Sequence, residues 1–239
     1  RSTLSSSSAA SDVYKRQHET VELSHLLQEV AEFNGFVFAA LKKEMDQSQE
    51  VRYFFSGSSL GLIREIFLRE DSPLYLMVTK YRLGPLPRKE ALKFLQERFQ
   101  VGGLEVERKG LDRMYDLTGG IPFYLQKLGL ILFQLALLEN KRKAATDDVE
   151  AAFQEMLAEL DGEFEVRWLS KFSPLQRRIL RVLAELGEAR VTEAANRLGM
   201  KPSDISSSLT RLREAMVVDK GEIGYRIVDV VFASWIAAL

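Results

Sequence analysis

The residues best suited to chemistry lie in one short run. Arg52 to Ile66, RYFFSGSSLGLIREI, reads as an apolar strand, a Gly/Ser turn and the start of a helix. Gly57-Ser58-Ser59-Leu60-Gly61 fits G-x-S-x-G, the spacing in which a sharp strand-to-helix turn presents a serine nucleophile, here Ser59. The same turn could hold a phosphate at a helix N-terminus, or end a strand whose hydroxyls sense a nucleotide bound elsewhere. The nucleophile reading needs a histidine after the serine, and both histidines, His18 and His25, precede it. The phosphate reading needs G-x-x-x-x-G-K-[ST], whose lysine neutralises the β- and γ-phosphates, and no Gly-Lys dipeptide occurs in the chain. In HETVE, Glu22 stands where H-E-x-x-H needs its second histidine; with no cysteine either, no metal site is expected.

The elements that must position this turn belong to an ordinary globular chain. Its 239 residues are 46% hydrophobic and 28% charged, enough for one large or two modest domains. A net charge of -1 sets up no global field toward nucleic acid, membrane or acidic substrate, so any such patch must be local. The absence of cysteine suits a reducing compartment, and a cytoplasmic location is expected. The longest apolar run, Ile121 to Leu138, is broken by Gln126, Lys127 and Gln134 and follows a helix-start signal. It predicts a buried amphipathic helix, not a membrane span.

Apolar spacing predicts a helix over 29–45, a strand from Val51 to Phe55, a helix from Ser59 through Phe67 and an extended piece from Val78 to Leu83. A helix between strands implies a parallel α/β sheet. After Gly84-Pro85-Leu86-Pro87 the pattern turns helical: Arg88 to Gln100, Glu105 to Leu117, Pro122 to Asn140, and Thr146 to Leu160 with Thr146 as N-cap. In LTGGIPFYL two glycines precede a proline at a helix start, where the backbone either approaches something closely or simply turns a corner. From Phe172 the pattern is three helices, the third with Ile205, Leu209, Leu212 and Met216 on one face, then a hairpin, VVDKGEIGYRIV; together they predict a winged helix-turn-helix.

Three ordered stretches, VRYFFSGSSLGLIREIFLREDSPLY, YRLGPLPRKEALKFL and YDLTGGIPFYLQ, followed by a winged helix, together resemble archaeal-type ATPases of the AAA+/STAND class. The resemblance runs from Val21 to the C-terminus. It implies a partial parallel P-loop NTPase sheet over 18–87, an all-helical lid over 88–169 and a winged helix over 170–239. It also implies that Ser56 and Ser58 end a sensor strand facing the γ-phosphate or attacking water, and that Gly120, Ile121 and Pro122 form a lid motif against the nucleotide. Glu19 falls where such proteins carry the glutamate that orients water, although His18 stands in place of the preceding aspartate. Leu76-Met77 likewise replaces the Gly-Arg of the related SPLYGR stretch. Residues 1–17 have no apolar periodicity, and DVYKRQ resembles translated transposase-adapter sequence; a non-native or disordered leader is expected there.

The implied protein is an ATPase switch using ATP and Mg²⁺, of which this chain is the C-terminal part and is expected to be inactive alone. A half-sheet deprived of its neighbours should be adhesive, so self-association or other protein partners are expected. On the third winged-helix helix, Lys201, Ser203, Ser206, Ser207, Thr210, Arg211 and Arg213 are the candidates to reach DNA. From Ser170 onward there are eleven Lys/Arg and eight Asp/Glu, a local excess of +3. On that slight excess, and on the small residues Ser206, Ser207 and Ser208, this helix is expected to pack on the lid as part of the switch. The alternatives are a DNA-binding regulator with an ATPase-like scaffold, and an interaction module with a degenerate nucleotide site.

Overall fold

The computed structural model describes residues 36–47, 53, 55, 63, 66–79 and 83–239, which belong to two compact units, Arg1–Tyr81 and Arg82–Leu239. In the first unit, helix α1 (Phe36–Gln47) buries Phe38, which joins Ile66, Phe67 and Leu74 in a small core. Residues 63 and 66–68 are helical, and Phe55 packs on Phe67 with ring centroids 5.0 Å apart. The Ser72 hydroxyl donates to the Ile66 carbonyl and fixes the turn that follows. Leu76 sits at φ 57, a left-handed conformation that glycine adopts at no steric cost and that strains a leucine.

The second unit is built on one continuous core. Its helical half comprises α2 (Arg88–Val101), α3 (Arg108–Thr118), α4 (Pro122–Leu138) and α5 (Thr146–Lys171). Strands β1 (Glu105–Val106) and β2 (Lys143–Ala144) pair in parallel and tie the two inter-helix connections together. The helix expected from Glu105 therefore begins at Arg108: Glu105 N–H donates to the Arg142 carbonyl at 2.9 Å and Glu107 N–H to that of Ala144 at 3.1 Å, which holds this segment extended. Thr146 is the first helical residue and not the cap. Asp148 instead reaches back to accept from the Ala145 N–H at 2.8 Å, and its carboxyl is held below its usual range, first by Lys141 and then by that N–H. α5 continues past Leu160 to Lys171, burying Phe164 and Trp168 in its last turns.

α4 accounts for the apolar run. It buries Tyr124, Leu125, Leu128, Ile131, Leu132 and Ala136, and among the described residues no helix is long and apolar enough to cross a membrane. The winged half follows as α6 (Pro174–Leu186), α7 (Val191–Leu198), α8 (Pro202–Glu214) and the antiparallel pair β3 (Val218–Lys220) and β4 (Tyr225–Ile227). Ser173 and Gln176 form a reciprocal cap at the start of α6.

A further helix, α9 (Val230–Ala237), closes the chain and was not foreseen in the sequence pattern. It packs on α6 and also on α5 and α3, so it joins the winged half to the helical half. Phe232 is fully buried between Trp235, stacked at 5.7 Å, and Phe164, edge-on at 5.2 Å, with Trp168 and Phe172 completing the cluster. Such pairs add to the area they bury. Phe232→Ala should therefore cost about 3–5 kcal/mol of unfolding free energy in chemical denaturation.

Candidate functional site

Two features of the second unit are placed to act. The first is the turn between α3 and α4. α3 ends on Gly119 at φ 60, Gly120 follows at φ 73, and Ile121 leads into Pro122 at the first helical position, where a missing N–H costs nothing. A Cβ on Gly120 would stand 2.7 Å from the Tyr115 ring and 2.9 Å from the Leu86 carbonyl. The close approach anticipated from the paired glycines is thus to the chain's own Leu86. Leu86 N–H donates to the Gly120 carbonyl at 2.9 Å, and the Tyr115 hydroxyl donates to the Leu86 carbonyl at 3.0 Å. Buried Thr118 donates its hydroxyl to the Met114 carbonyl at 2.7 Å. Arg88 lies over the Tyr115 ring at 4.5 Å and pairs with Asp112 at 2.9 Å and with Asp116.

These polar groups are committed to one another. Asp112 is engaged by Arg88 and Arg108, and Asp116 by Arg88. What the turn does offer outward is half-buried Ile121 and exposed Pro122, an apolar edge.

The turn is also bound to the C-terminal helix. A Cβ on Gly119 would meet the Val230 side chain at 3.0 Å. One turn into α4, the Tyr124 hydroxyl donates to Asp229 at 3.0 Å, and burial followed by the Asp229 charge raises the phenol far above its ordinary range. Asp229 accepts in addition from Arg167 at 3.1 Å and from the Phe232 N–H at 3.0 Å, which makes it the N-cap of α9. The Arg167 guanidinium rests on the Phe232 ring at 4.3 Å.

The second feature is α8. Its inner side, Ile205, Leu209 and Leu212, is buried against α6, α7 and β3. Its outer side gathers every sequence candidate: Lys201, Ser203, Ser206, Ser207, Thr210, Arg211 and Arg213 are all exposed. The expected packing of this helix on the lid through Ser206 to Ser208 is corrected here. Ser206 and Ser207 face solvent and only Ser208 is half-buried, while the joint to the helical half is made by α9. Ser206 and Thr210 donate their hydroxyls to carbonyls one turn back, at 2.6 and 3.0 Å. Glu19, Ser56 and Ser58 lie outside the described residues.

Residues 173–220 match the helix-turn-helix family of bacterial regulatory proteins of the arsR family. The wider fold is shared with the Walker-type ATPase PABY2304 of Pyrococcus abyssi. That structure aligns with 84% of this chain at TM-score 0.63 and 21% identity, and this chain spans 57% of its length. The chain thus combines the fold of part of a Walker-type ATPase with a winged helix-turn-helix. Structures of the Thermotoga maritima Holliday-junction motor RuvB align with 61% of the chain and 47% of their own, at TM-score 0.33 and 16% identity, too low to define a common arrangement. No curated protein matches the sequence.

The wing is fastened by Glu188, a residue the sequence did not single out. Its carboxylate accepts from the Gly224 N–H at 2.7 Å and the Ile223 N–H at 2.6 Å, and these bonds, Gly224's first, with Arg226 nearby, hold its pKa below the ordinary 4.5. A depressed carboxyl contributes stability that is complete above its unfolded pKa and is lost as pH falls through the folded value. The Gly224 and Ile223 amide resonances should therefore shift together on acidification below pH 4.5, and Glu188→Gln should remove that titration.

Proposed function

We propose that this chain is part of an ATP-dependent switch in which the nucleotide state of an ATPase core governs a DNA-binding winged helix. The observation that carries the proposal is the continuous core joining the ATPase-like helical half to a helix-turn-helix whose α8 remains exposed. The fold likeness and the helix-turn-helix match support the two halves separately. In this reading Ser56 and Ser58 face the γ-phosphate or the attacking water, and Glu19 orients that water. The Ile121-Pro122 edge meets the nucleotide through apolar contact, consistent with the self-satisfied polar groups behind it. ATP and Mg²⁺ would supply the charge and leaving group of phosphoryl transfer; positioning and charge neutralisation provide most of the catalysis in such chemistry. Movement of the Gly120 turn would be felt at α9 through Val230 and the Tyr124–Asp229 bond.

The exposure of α8 also supports a second reading, a DNA-binding regulator whose ATPase-like part is only a scaffold. In that case DNA affinity is indifferent to nucleotide in the intact protein. In the switch, ATP and ADP give different affinities.

Two outcomes follow for the chain as it stands. Lacking a Gly-Lys phosphate loop, it should not hydrolyse ATP above buffer rates, and turnover abolished by Glu19→Gln would overturn this. It should bind duplex DNA weakly and with strong salt dependence. Replacing Arg211 and Arg213 together by Ala should weaken that binding by roughly 1–3 kcal/mol for each arginine removed, measured by fluorescence anisotropy. Undiminished binding by the double variant would remove α8 as the DNA-facing surface.

A further inference from the structure

Eleven cations against eight acids gave no stripe along the winged half of the sequence, but the fold distributes them unevenly. The wing is balanced toward acid. Lys220 and Arg226 are outnumbered by Asp219, Glu222 and the clamp carboxylate of Glu188, with Arg226 near that carboxylate, so the hairpin offers a polyanion no net attraction. Outside the wing, and besides Lys171, Arg177, Arg181 and Arg190, which lie along α5, α6 and the entry to α7, the cations without an ion-pair partner among the described residues of this half stand at the two ends of α8. At its exit, Arg211 and Arg213 are exposed and have no ion-pair partner among the described residues. At its entry, exposed Lys201 is likewise unpaired among them, and a second cation arrives from a different helix.

That second cation is Arg178, on α6. Its Nη2 donates to the Leu198 carbonyl at 3.1 Å, at the last residue of α7. One hydrogen bond therefore anchors the guanidinium beside the Gly199–Met200 turn, three residues from Lys201. The bond uses a carbonyl at the negative end of the α7 dipole, where a cation is favoured. Arg178 is exposed, and its other guanidinium N–H groups have no partner among the described residues, in a planar fork suited to phosphate oxygens. Arg197, next to Leu198, is instead drawn to Glu185 at 3.5 Å. The acids on α7 and in the first turn of α8 are Glu193 and Asp204. Asp204 accepts from the Lys201 N–H at 3.1 Å and the Ser203 hydroxyl at 3.1 Å, and exposed Glu193 lies in the first turn of α7. Glu214 is the acid at the exit.

The spacing gives the two ends a common purpose. At a rise of about 1.5 Å per residue, Lys201 and Arg211 stand roughly 15 Å apart along the helix. The major groove is about 12 Å wide between its phosphate walls. A helix seated in that groove brings one cationic end to each strand.

We propose that Arg178 is a DNA-phosphate contact, acting with Lys201 on one strand while Arg211 and Arg213 hold the other, and that the wing adds nothing to affinity. This rests on the DNA-binding reading above. The four cations give an expected slope of log affinity against log salt of about −3.6.

The test is anisotropy titration of a short mixed-sequence duplex over a salt series with the full chain. Arg178→Gln removes the charge on a shorter polar side chain; it should weaken binding roughly 5- to 10-fold and reduce the slope by about 1, whereas Arg178→Lys should retain the slope. Lys220→Ala with Arg226→Ala in the wing should leave affinity within about twofold. Thermal melts matching the wild type confirm that Arg178→Gln is folded; should it melt early, Arg178→Lys against Arg178→Met at matched stability repeats the comparison of charge. If the Arg211/Arg213 double variant loses affinity and Arg178→Gln keeps both affinity and slope, Arg178 is structural and the inference fails alone. If the wild-type chain shows no salt-dependent binding at all, the DNA reading falls and takes this inference with it.

Discussion

The second unit depends on a single carboxylate. Asp229 starts the last helix, accepts the Tyr124 hydroxyl from across the core, and receives Arg167 at the same time. Neither side-chain partner is close in sequence. Tyr124 is 105 residues away and Arg167 is 62, so the residue gathers three segments whose other contacts, the Trp235–Asp161 bond aside, are largely apolar. Apolar packing is non-directional. A hydrogen-bonded carboxylate at a helix start is directional, and it sets where α9 begins and how it lies across α3, α5 and α6.

From this constraint the division of labour in the unit follows. On the helical side, polar groups are spent on one another: buried Thr118, half-buried Tyr115 and exposed Arg88 all find partners within the α2–α3–α4 corner. This makes the Gly120 turn stiff and leaves it an apolar outer edge. On the winged side, the docking load is carried by α9 and α6, so α8 is relieved of any structural duty beyond its inner row of Ile205, Leu209 and Leu212. Its outer row stays polar and free. A helix that had to serve as the joint could not have presented Lys201, Ser206 and Arg211 to solvent.

Periodicity and caps made much of this legible. The helices from Arg88 onward, the hairpin and the turn at Gly199 follow from local signals, because each is specified by residues within a few positions of it. What escaped was non-local or one residue out of step. The two-residue strands β1 and β2 exist only because two distant connections lie side by side, and no pattern in LEVE announces Arg142 and Ala144 as partners. Thr146 and Ala145 compete for the cap, and Asp148, not the hydroxyl, decides it. α9 was hidden by its own composition: in VVFASWIA nearly every residue is apolar, so no amphipathic period emerges, though Asp229 immediately before the run was a usable start signal. The packing of α8 is not legible from Ser206 to Ser208, because small residues permit close approach without requiring it. Of the proposed nucleotide-facing residues, only the Gly120 turn lies among the described ones.

The aromatic cluster gives the molecule a built-in optical gauge. The chain has two tryptophans, Trp168 on α5 and Trp235 on α9, and their rings lie 6.2 Å apart, edge to face, across the joint between the two halves. Trp235 is further pinned by donating its indole N–H to Asp161 at 2.8 Å. Indole emission from this protein therefore originates wholly at that seam. Any motion that parts the winged half from the helical half lets water reach both rings and separates them, so a shift in emission colour reads the opening of this one joint without an attached dye.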